Sequence, residues 1–417
     1  MVTLRSGGLS RRMFALALPA ILGALRHVAL CQGENQKMPG TPFQIRFDRS
    51  LREDLHRRLA DTRWSDAVTS DWQYGMKKSF LKNLVDYWQT TYSFDAAEQR
   101  LNQMPQFFAA VGGFGVHYVH LPGRGPRPRP LLLMNGWPSS FGEYRLLAPM
   151  LTDPAAFGGS AEDAFDVVMP ALPGFGFSDR PASPNQVNAE DLFNILMTEH
   201  LGYPSYLVSG TDIGAGVATR LAVKFPTHVQ GIHVASVVAP PLTPGSRPLT
   251  EAEKAYQARS EQWEQEEGAY EHVHYTRPQT LAFALADSPV GLASWIVEKF
   301  YFWSDHGGDL LKTFPPDMLI DNLMIYWATE TIGSSMRLYY DHRHFREPFK
   351  TSDRVSVPTA ISMWPKDLVI APREWAERFY NVRRYSTQAH GGHFPAWEAP
   401  DAYAQDLRRF ARSLGRS

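Results

Sequence analysis

The chain has 417 residues, 44% of them hydrophobic and 20% charged, enough to bury one large core with additions and too apolar for a disordered chain. Its 42 Lys and Arg against 43 Asp and Glu leave a formal charge of −1, which excludes a net field drawing nucleic acid or an anionic membrane surface, so the expected partner is a small neutral molecule. A single cysteine, Cys31, excludes an internal disulfide and a cysteine-based zinc site.

Residues 1–40 differ from the rest. Ser10-Arg11-Arg12-Met13-Phe14 precedes an apolar run from Ala15 to Leu25, a pattern similar to a twin-arginine export signal with its spacer. The run is shorter than the ~20 apolar residues a bilayer span needs, and Arg26-His27 closes it. Export to the periplasm or medium is expected, with no membrane association once the segment is removed; the alternative is an uncleaved N-terminal anchor.

Residues 41–115 read as an accessory domain. Leu51, Leu55 and Leu59, then Phe80, Leu81, Leu84, Tyr87 and Trp88, recur at three- and four-residue spacing, which predicts amphipathic helices from Pro42 to about Gly115. Between them, Arg63-Trp64-Ser65-Asp66 and Trp72-Gln73-Tyr74-Gly75 read as aromatic turns packed on a neighbouring domain.

Strand and helix then alternate through 116–242 and again through 349–417. Leu131 to Met134, Phe165 to Met169, Tyr206 to Ser209, Gly231 to Val237, Thr359 to Met363 and Asn381 to Tyr385 are short apolar runs bounded by turn residues, as in parallel strands covered on both faces. The fold class is α/β with a mostly parallel sheet. Within 243–348 the strand pattern disappears: Ser288-Pro289 opens a helix with a capping hydroxyl and a first-turn proline, and 260–275 and 317–340 read as helical. An insertion late in such a sheet is expected to lie as a lid over the carboxyl ends of the strands.

The chemistry centres on Gly210-Thr211-Asp212-Ile213-Gly214, a strand, sharp turn and helix with an acid where a hydrolase elbow carries serine. A carboxylate attacking a strained saturated carbon gives an alkyl ester that water can cleave, whereas attack on a carbonyl gives a labile anhydride. In the α/β-hydrolase chain order the nucleophile is followed by an acid and a histidine. Asp367, just past a strand, and His393, in the Gly-rich loop His390-Gly391-Gly392-His393, fill those places as orienting acid and general base, with the nearby carboxylates Glu374 and Glu398 read as surface charges or as substitutes for Asp367. Asn135-Gly136-Trp137-Pro138 follows another strand, so backbone N–H groups of Trp137 and Ile213 are the expected oxyanion donors and the proline is a candidate cis bond. Trp137 and Phe175 are expected in a mostly apolar substrate pocket. The pairs His272/His274 and His342/His344 lack zinc-helix spacing and are expected on a solvated lid surface; no metal and no cofactor are expected.

From about Pro42 to the C-terminus the chain resembles microsomal-type epoxide hydrolases. The stretches that carry the likeness are Asn135-Gly136-Trp137-Pro138, Pro173-Gly174-Phe175-Gly176-Phe177-Ser178, the Asp212 elbow, Asp287-Ser288-Pro289-Val290-Gly291-Leu292, Thr331-Ile332-Gly333-Ser334-Ser335 and Gly391-Gly392-His393-Phe394. The resemblance implies an α/β-hydrolase core with an N-terminal wrapping segment and a helical lid. It also implies that the lid residues Tyr270 and Tyr339 hydrogen-bond an epoxide oxygen. Asn135 stands in place of the family's usual histidine, Ile213 of a tryptophan and Ala269 of a glycine. The implied reaction takes an apolar epoxide and water to a vicinal diol through an ester on Asp212. A haloalkane dehalogenase using the same nucleophile, or a silent binding protein on the same scaffold, are the alternatives.

Overall fold

The computed structural model describes residues 40–243 and 245–415, so the export pattern and Cys31 lie outside the described residues. The described strands are β1 (Thr41–Phe43), β2 (Gln106–Val111), β3 (Phe114–Leu121), β4 (Arg129–Met134), β5 (Phe165–Pro170), β6 (Tyr206–Gly210), β7 (Val229–Val234), β8 (Val355–Met363) and β9 (Tyr380–Thr387). They form one sheet in the order β1-β2-β3-β5-β4-β6-β7-β8-β9, antiparallel up to β5 and parallel from β5 to β9. Leu131, Leu132, Leu133 and Met134 are buried in succession, as a strand covered on both faces requires.

The chain leaves β4 for β5 on one side and returns as β6 on the other. The order reverses there, and the crevice beyond the carboxyl ends of such strands is where open α/β sheets hold ligands. Met134 pairs with Gly210 at those ends, so the loops carrying Trp137 and Asp212 leave the sheet side by side.

Ahead of the core lie α1 (Arg49–Ala60), α2 (Lys78–Thr90) and α3 (Phe94–Leu101), and within it α4 (Leu147–Thr152), α5 (Ala189–Ile195) and α6 (Asp212–Lys224). The helical insertion between β7 and β8, expected as a lid, comprises α7 (Glu251–Glu267), α8 (Ala269–Thr276), α9 (Pro278–Asp287), α10 (Pro289–Phe302), α11 (Leu310–Thr313), α12 (Pro316–Thr329) and α13 (Ile332–His344). The chain ends with α14 (Arg373–Ala376), α15 (Pro395–Glu398) and α16 (Pro400–Ser413). Thr250 and Glu253 close a capping box on α7, and Ser288 caps α10 through Gly291 N at 3.0 Å with Pro289 in its first turn.

The N-terminal segment grips the lid. Arg100 makes two 2.8 Å hydrogen bonds to Asp321 of α12, Tyr92 donates to the same carboxylate at 2.8 Å, and Trp72 stacks on Tyr301 with ring centroids 3.9 Å apart. Burial raises the Asp321 carboxyl, and the guanidinium of Arg100 draws it back. Removing one partner of such a buried pair leaves an uncompensated charge, whereas the intact pair adds little stability. The structure departs from the helical expectation for 42–115 at both ends: residues 41–43 are strand, and 106–121 form a hairpin that joins the sheet. The turn residues Gly112 and Gly113 have φ of 56° and 82°, a left-handed pair that glycine adopts without a Cβ penalty and that suits a tight hairpin.

Among the described residues no single helix is long and apolar enough to cross a membrane. The α9 and α10 pair passes on composition but bends by 117°, and Leu292, Ala293, Ile296 and Val297 of α10 are spent on the protein core.

Candidate active site

The elbow at Asp212 follows from close packing. Strand β6 is wholly buried, and Asp212, first residue of α6, is held at φ +50°. A Cβ at Gly210 would lie 2.4 Å from the Gly214 carbonyl oxygen, and one at Gly214 would lie 2.3 Å from that of Met134, so only glycine permits the turn to sit against the end of β4. Asp212 Oδ1 accepts from Trp137 N at 2.9 Å, and Ile213 N also donates to the carboxylate. The two expected oxyanion donors, Trp137 N and Ile213 N, thus both point at the Asp212 carboxylate. The Trp137–Pro138 peptide is cis.

His393 Nε2 lies 3.6 Å from Asp212 Oδ2, and its Nδ1 is 2.7 Å from Asp367 Oδ1. Burial pushes the Asp212 carboxyl up, offset by His393 and the two backbone donors. Burial pushes the His393 imidazole down, but the carboxylates of Asp367, Asp212 and Glu143 outweigh it and bring it up to about 9. At neutral pH His393 therefore rests as an imidazolium 3.6 Å from the Asp212 carboxyl.

Glu143, which the sequence reading passed over, and Glu398, expected as a surface charge or a substitute for Asp367, hold this geometry. Asn135 Nδ2 donates to Gly136 O and to Ser139 Oγ, both at 3.0 Å, and Ser139 Oγ donates to the buried Glu143 at 2.6 Å. Asn135 thus braces the loop that carries Trp137 from behind. Lid helix α12 supports the same loop, with Asn322 Nδ2 on Pro138 O at 2.8 Å and Tyr326 OH on Ser139 O at 2.9 Å.

Glu398 clasps the histidine loop to the lid, accepting from Asp305 N at 2.6 Å and Phe394 N at 2.8 Å, while His393 N donates to Trp303 O at 2.8 Å. Replacing Glu398 by Ala strips both backbone donors of their acceptor. It is expected to cost about 2–4 kcal/mol, measured as a lower denaturation midpoint, with Glu398→Gln falling in between because one acceptor oxygen survives.

Tyr270 of α8 and Tyr339 of α13 face each other above Asp212, ring centroids 6.2 Å apart, with the Tyr339 side chain hydrogen-bonded to Tyr270. Burial, reinforced by the Asp212 carboxylate, holds both phenols well above their ordinary range, so both keep their protons at neutral pH. A cavity of about 340 Å³ opens on Asp212, Ile213, Tyr270 and Tyr339.

Several expectations are corrected here. Phe175 does not line that cavity; it borders a separate void of about 10 Å³ with Asn135 and Tyr326. Trp137 is buried as a packing partner of Tyr270, stacked at 5.2 Å, and does not border the cavity. The lining is not mostly apolar, since Glu271, Tyr275, His342 and Arg343 complete it beside Leu338. His274 is not on a solvated surface: it is fully buried, edge-on to Trp137 at 4.8 Å and to Tyr339 at 4.9 Å, and burial depresses it to about 3. His342 sits at the cavity and is also held neutral by burial, with Arg346 donating to its Nε2 at 2.7 Å. His344 is exposed.

A second array, Ser209–His233–Asp406, mimics a hydrolytic triad, with Ser209 Oγ 2.9 Å from His233 Nδ1 and His233 Nε2 3.2 Å from Asp406. Ser209 and His233 have no exposed surface, so the array is a core hydrogen-bond network. Two clefts of about 600 Å³ lie elsewhere, one at the amino ends of β4 and β5 and one between α1 and α10; neither contains the elbow. Among the described residues no group of three or more His, Cys, Asp or Glu side chains could hold a metal.

Residues 40–144 match the family described as epoxide hydrolase N terminus, and residues 129–400 match the alpha/beta hydrolase fold. The chain is 39% identical over 378 residues to a protein of Stigmatella aurantiaca named as a candidate epoxide hydrolase, covering 90% of this chain and 85% of that one. It is 33% identical over 400 residues to epoxide hydrolase 1 of Sus scrofa, covering 88% of each. The crystal structure of the juvenile hormone epoxide hydrolase from the silkworm Bombyx mori superposes with a TM-score of 0.80 at 28% identity, over 91% of this chain and 96% of that one. An aspartate at the elbow, a histidine and acid behind it, two lid phenols above and relatives matched along nearly the whole described length agree: the chain belongs to the microsomal-type epoxide hydrolase family of the α/β-hydrolase fold.

Proposed function

We propose that the chain hydrolyses an epoxide to a vicinal diol in two steps through an ester on Asp212. In the first, Asp212 Oδ2 attacks a ring carbon, the carbon–oxygen bond of the ring breaks, and its electron pair goes to the ring oxygen. That oxygen takes a proton from the paired phenols of Tyr270 and Tyr339, because an alkoxide is too high in energy to leave unprotonated at neutral pH. In the second step His393 Nε2 takes a proton from water, and the hydroxide attacks the ester carbonyl carbon. Trp137 N and Ile213 N hold the oxyanion that develops on Oδ1. Collapse expels the diol oxygen, to which the imidazolium returns a proton; Asp212, left as its acid with one oxygen from water, releases its proton to solvent, and the phenolate takes one up. Asp367 fixes the imidazole tautomer throughout.

The observation that carries this reading is the division of labour on one carboxylate that lines the cavity: Oδ1 on Trp137 N at 2.9 Å, Oδ2 3.6 Å from His393 Nε2. Relatives named as epoxide hydrolases supply the reaction class. The decisive experiment is a single turnover in ¹⁸O-water with enzyme in excess. The diol is expected unlabelled, with the label in the peptide containing Asp212; a labelled diol from the first turnover would mean direct attack by water and would end the proposal. Export by the twin-arginine route, resting on Arg11-Arg12 and the apolar run after them, is part of the same proposal.

A further inference from the structure

The cavity over Asp212 is built for more than a hydrocarbon. Helix α8 presents Tyr270 to the reacting centre, and its next residue, Glu271, lines the same cavity. Tyr275 follows Glu271 by four residues, one helical turn on the same face, and its hydroxyl donates to the Glu271 carboxylate. A carboxylate has about four lone-pair sites, so one phenol leaves room for a further donor. On the α13 side, His342 is held neutral, and the Arg343 guanidinium at the rim rests 5.7 Å from the centroid of the Tyr275 ring. The volume, about 340 Å³, is at the small end of ligand pockets.

We propose that Glu271, oriented by Tyr275, is a specificity residue of the epoxide site, and that the preferred substrate is a compact epoxide carrying a hydroxyl whose proton reaches Glu271 while the ring carbon faces Asp212. This rests on the reading of Asp212 as nucleophile. The physical basis is the cost of burying a polar carboxyl group with too few hydrogen-bond partners. When a hydrocarbon epoxide fills the cavity, Glu271 is left with Tyr275 alone, whereas a hydroxylated epoxide supplies a second partner. Sites that hydrogen-bond a substrate group discriminate against analogues lacking it far more strongly than apolar pockets discriminate by size.

The test compares kcat/KM for 5,6-epoxyhexan-1-ol and 1,2-epoxyhexane, which share a carbon skeleton and differ by one hydroxyl. The wild-type enzyme is expected to prefer the alcohol by at least about tenfold. Glu271→Leu is expected to bring the ratio to one or below, and Glu271→Gln, which keeps the shape and one acceptor, to lower it about threefold, so the inference stays testable if the Leu variant does not fold. A wild-type ratio near one, or a ratio unchanged in the Gln and Leu variants, overturns the inference while leaving the two-step mechanism standing. Turnover of neither epoxide, with no ester on Asp212, overturns both.

Discussion

Asp212→Ala is expected to lower epoxide turnover by about 10⁴-fold or more, the scale at which removing a covalent nucleophile leaves only binding and residual polarisation. The loss is so large because no other group can substitute. Asp367 is committed to His393 Nδ1 at 2.7 Å, and Glu143 lies behind the oxyanion loop bonded to Ser139. The remaining base could still activate water against the ring, but that water would have to occupy the volume vacated by the carboxylate while Trp137 N and Ile213 N polarise nothing on the substrate. Diol formation followed by mass spectrometry reads the effect. The protein should remain folded, because the substitution removes a buried carboxyl already raised by burial; the φ of +50° is kept and is no worse for Ala than for Asp by more than the small αL preference of Asp. A folded Asp212→Ala protein retaining activity within a hundredfold of wild type would refute nucleophilic attack by this residue.

The residues that carry the proposed chemistry were legible because each sits where a strand ends and the chain must turn. Asp212 after β6, Asp367 after β8 and His393 beyond β9 are polar residues in Gly- or Pro-marked loops behind apolar runs, a pattern that one-dimensional reading handles well. What was not legible depends on which side of a helix a residue faces in three dimensions. Tyr270 and Tyr339 look in sequence like any other helical aromatics and were picked out only by family resemblance. His274 reads as a surface residue because a polar His-x-His pair on an eight-residue helix gives no phase, yet it is the inward member of that pair. Glu143 and Glu398 carry no motif at all: their partners are a hydroxyl four residues back and backbone N–H groups, contacts made only once the loops are folded. The β2–β3 hairpin was readable in principle, since Gly112-Gly113 between apolar runs is a tight-turn signal, but the strong helical periodicity of the preceding segment masked it.

His393→Gln should separate the two halves of the reaction. Alkylation needs Asp212, the phenols and the epoxide, none of which the substitution removes, whereas dealkylation loses its base. Steady-state turnover is expected to fall by about 10²–10⁴-fold, the usual contribution of a positioned general base. One equivalent of ester should accumulate, visible as a mass increase equal to the substrate on the peptide containing Asp212. The electrostatics sharpen the expectation. In the free enzyme His393 stands at about 9 despite burial, partly because Asp212 is ionised 3.6 Å away. Esterification erases that charge, which at an effective dielectric of ~20 is worth about 4 kcal/mol at such a distance, so forming the intermediate itself lowers the imidazole toward the range where it can accept a proton from water. Wild-type kcat should therefore keep rising only up to a midpoint well below 9. The converse holds for the first step: His393 draws the buried Asp212 carboxyl down, so in His393→Gln that carboxyl rises and the single-turnover alkylation rate needs a higher pH than in wild type to reach its plateau. A His393→Gln enzyme with full burst-free turnover, or an alkylation profile displaced to lower pH, would show that the imidazole acts on neither the ester nor the nucleophile.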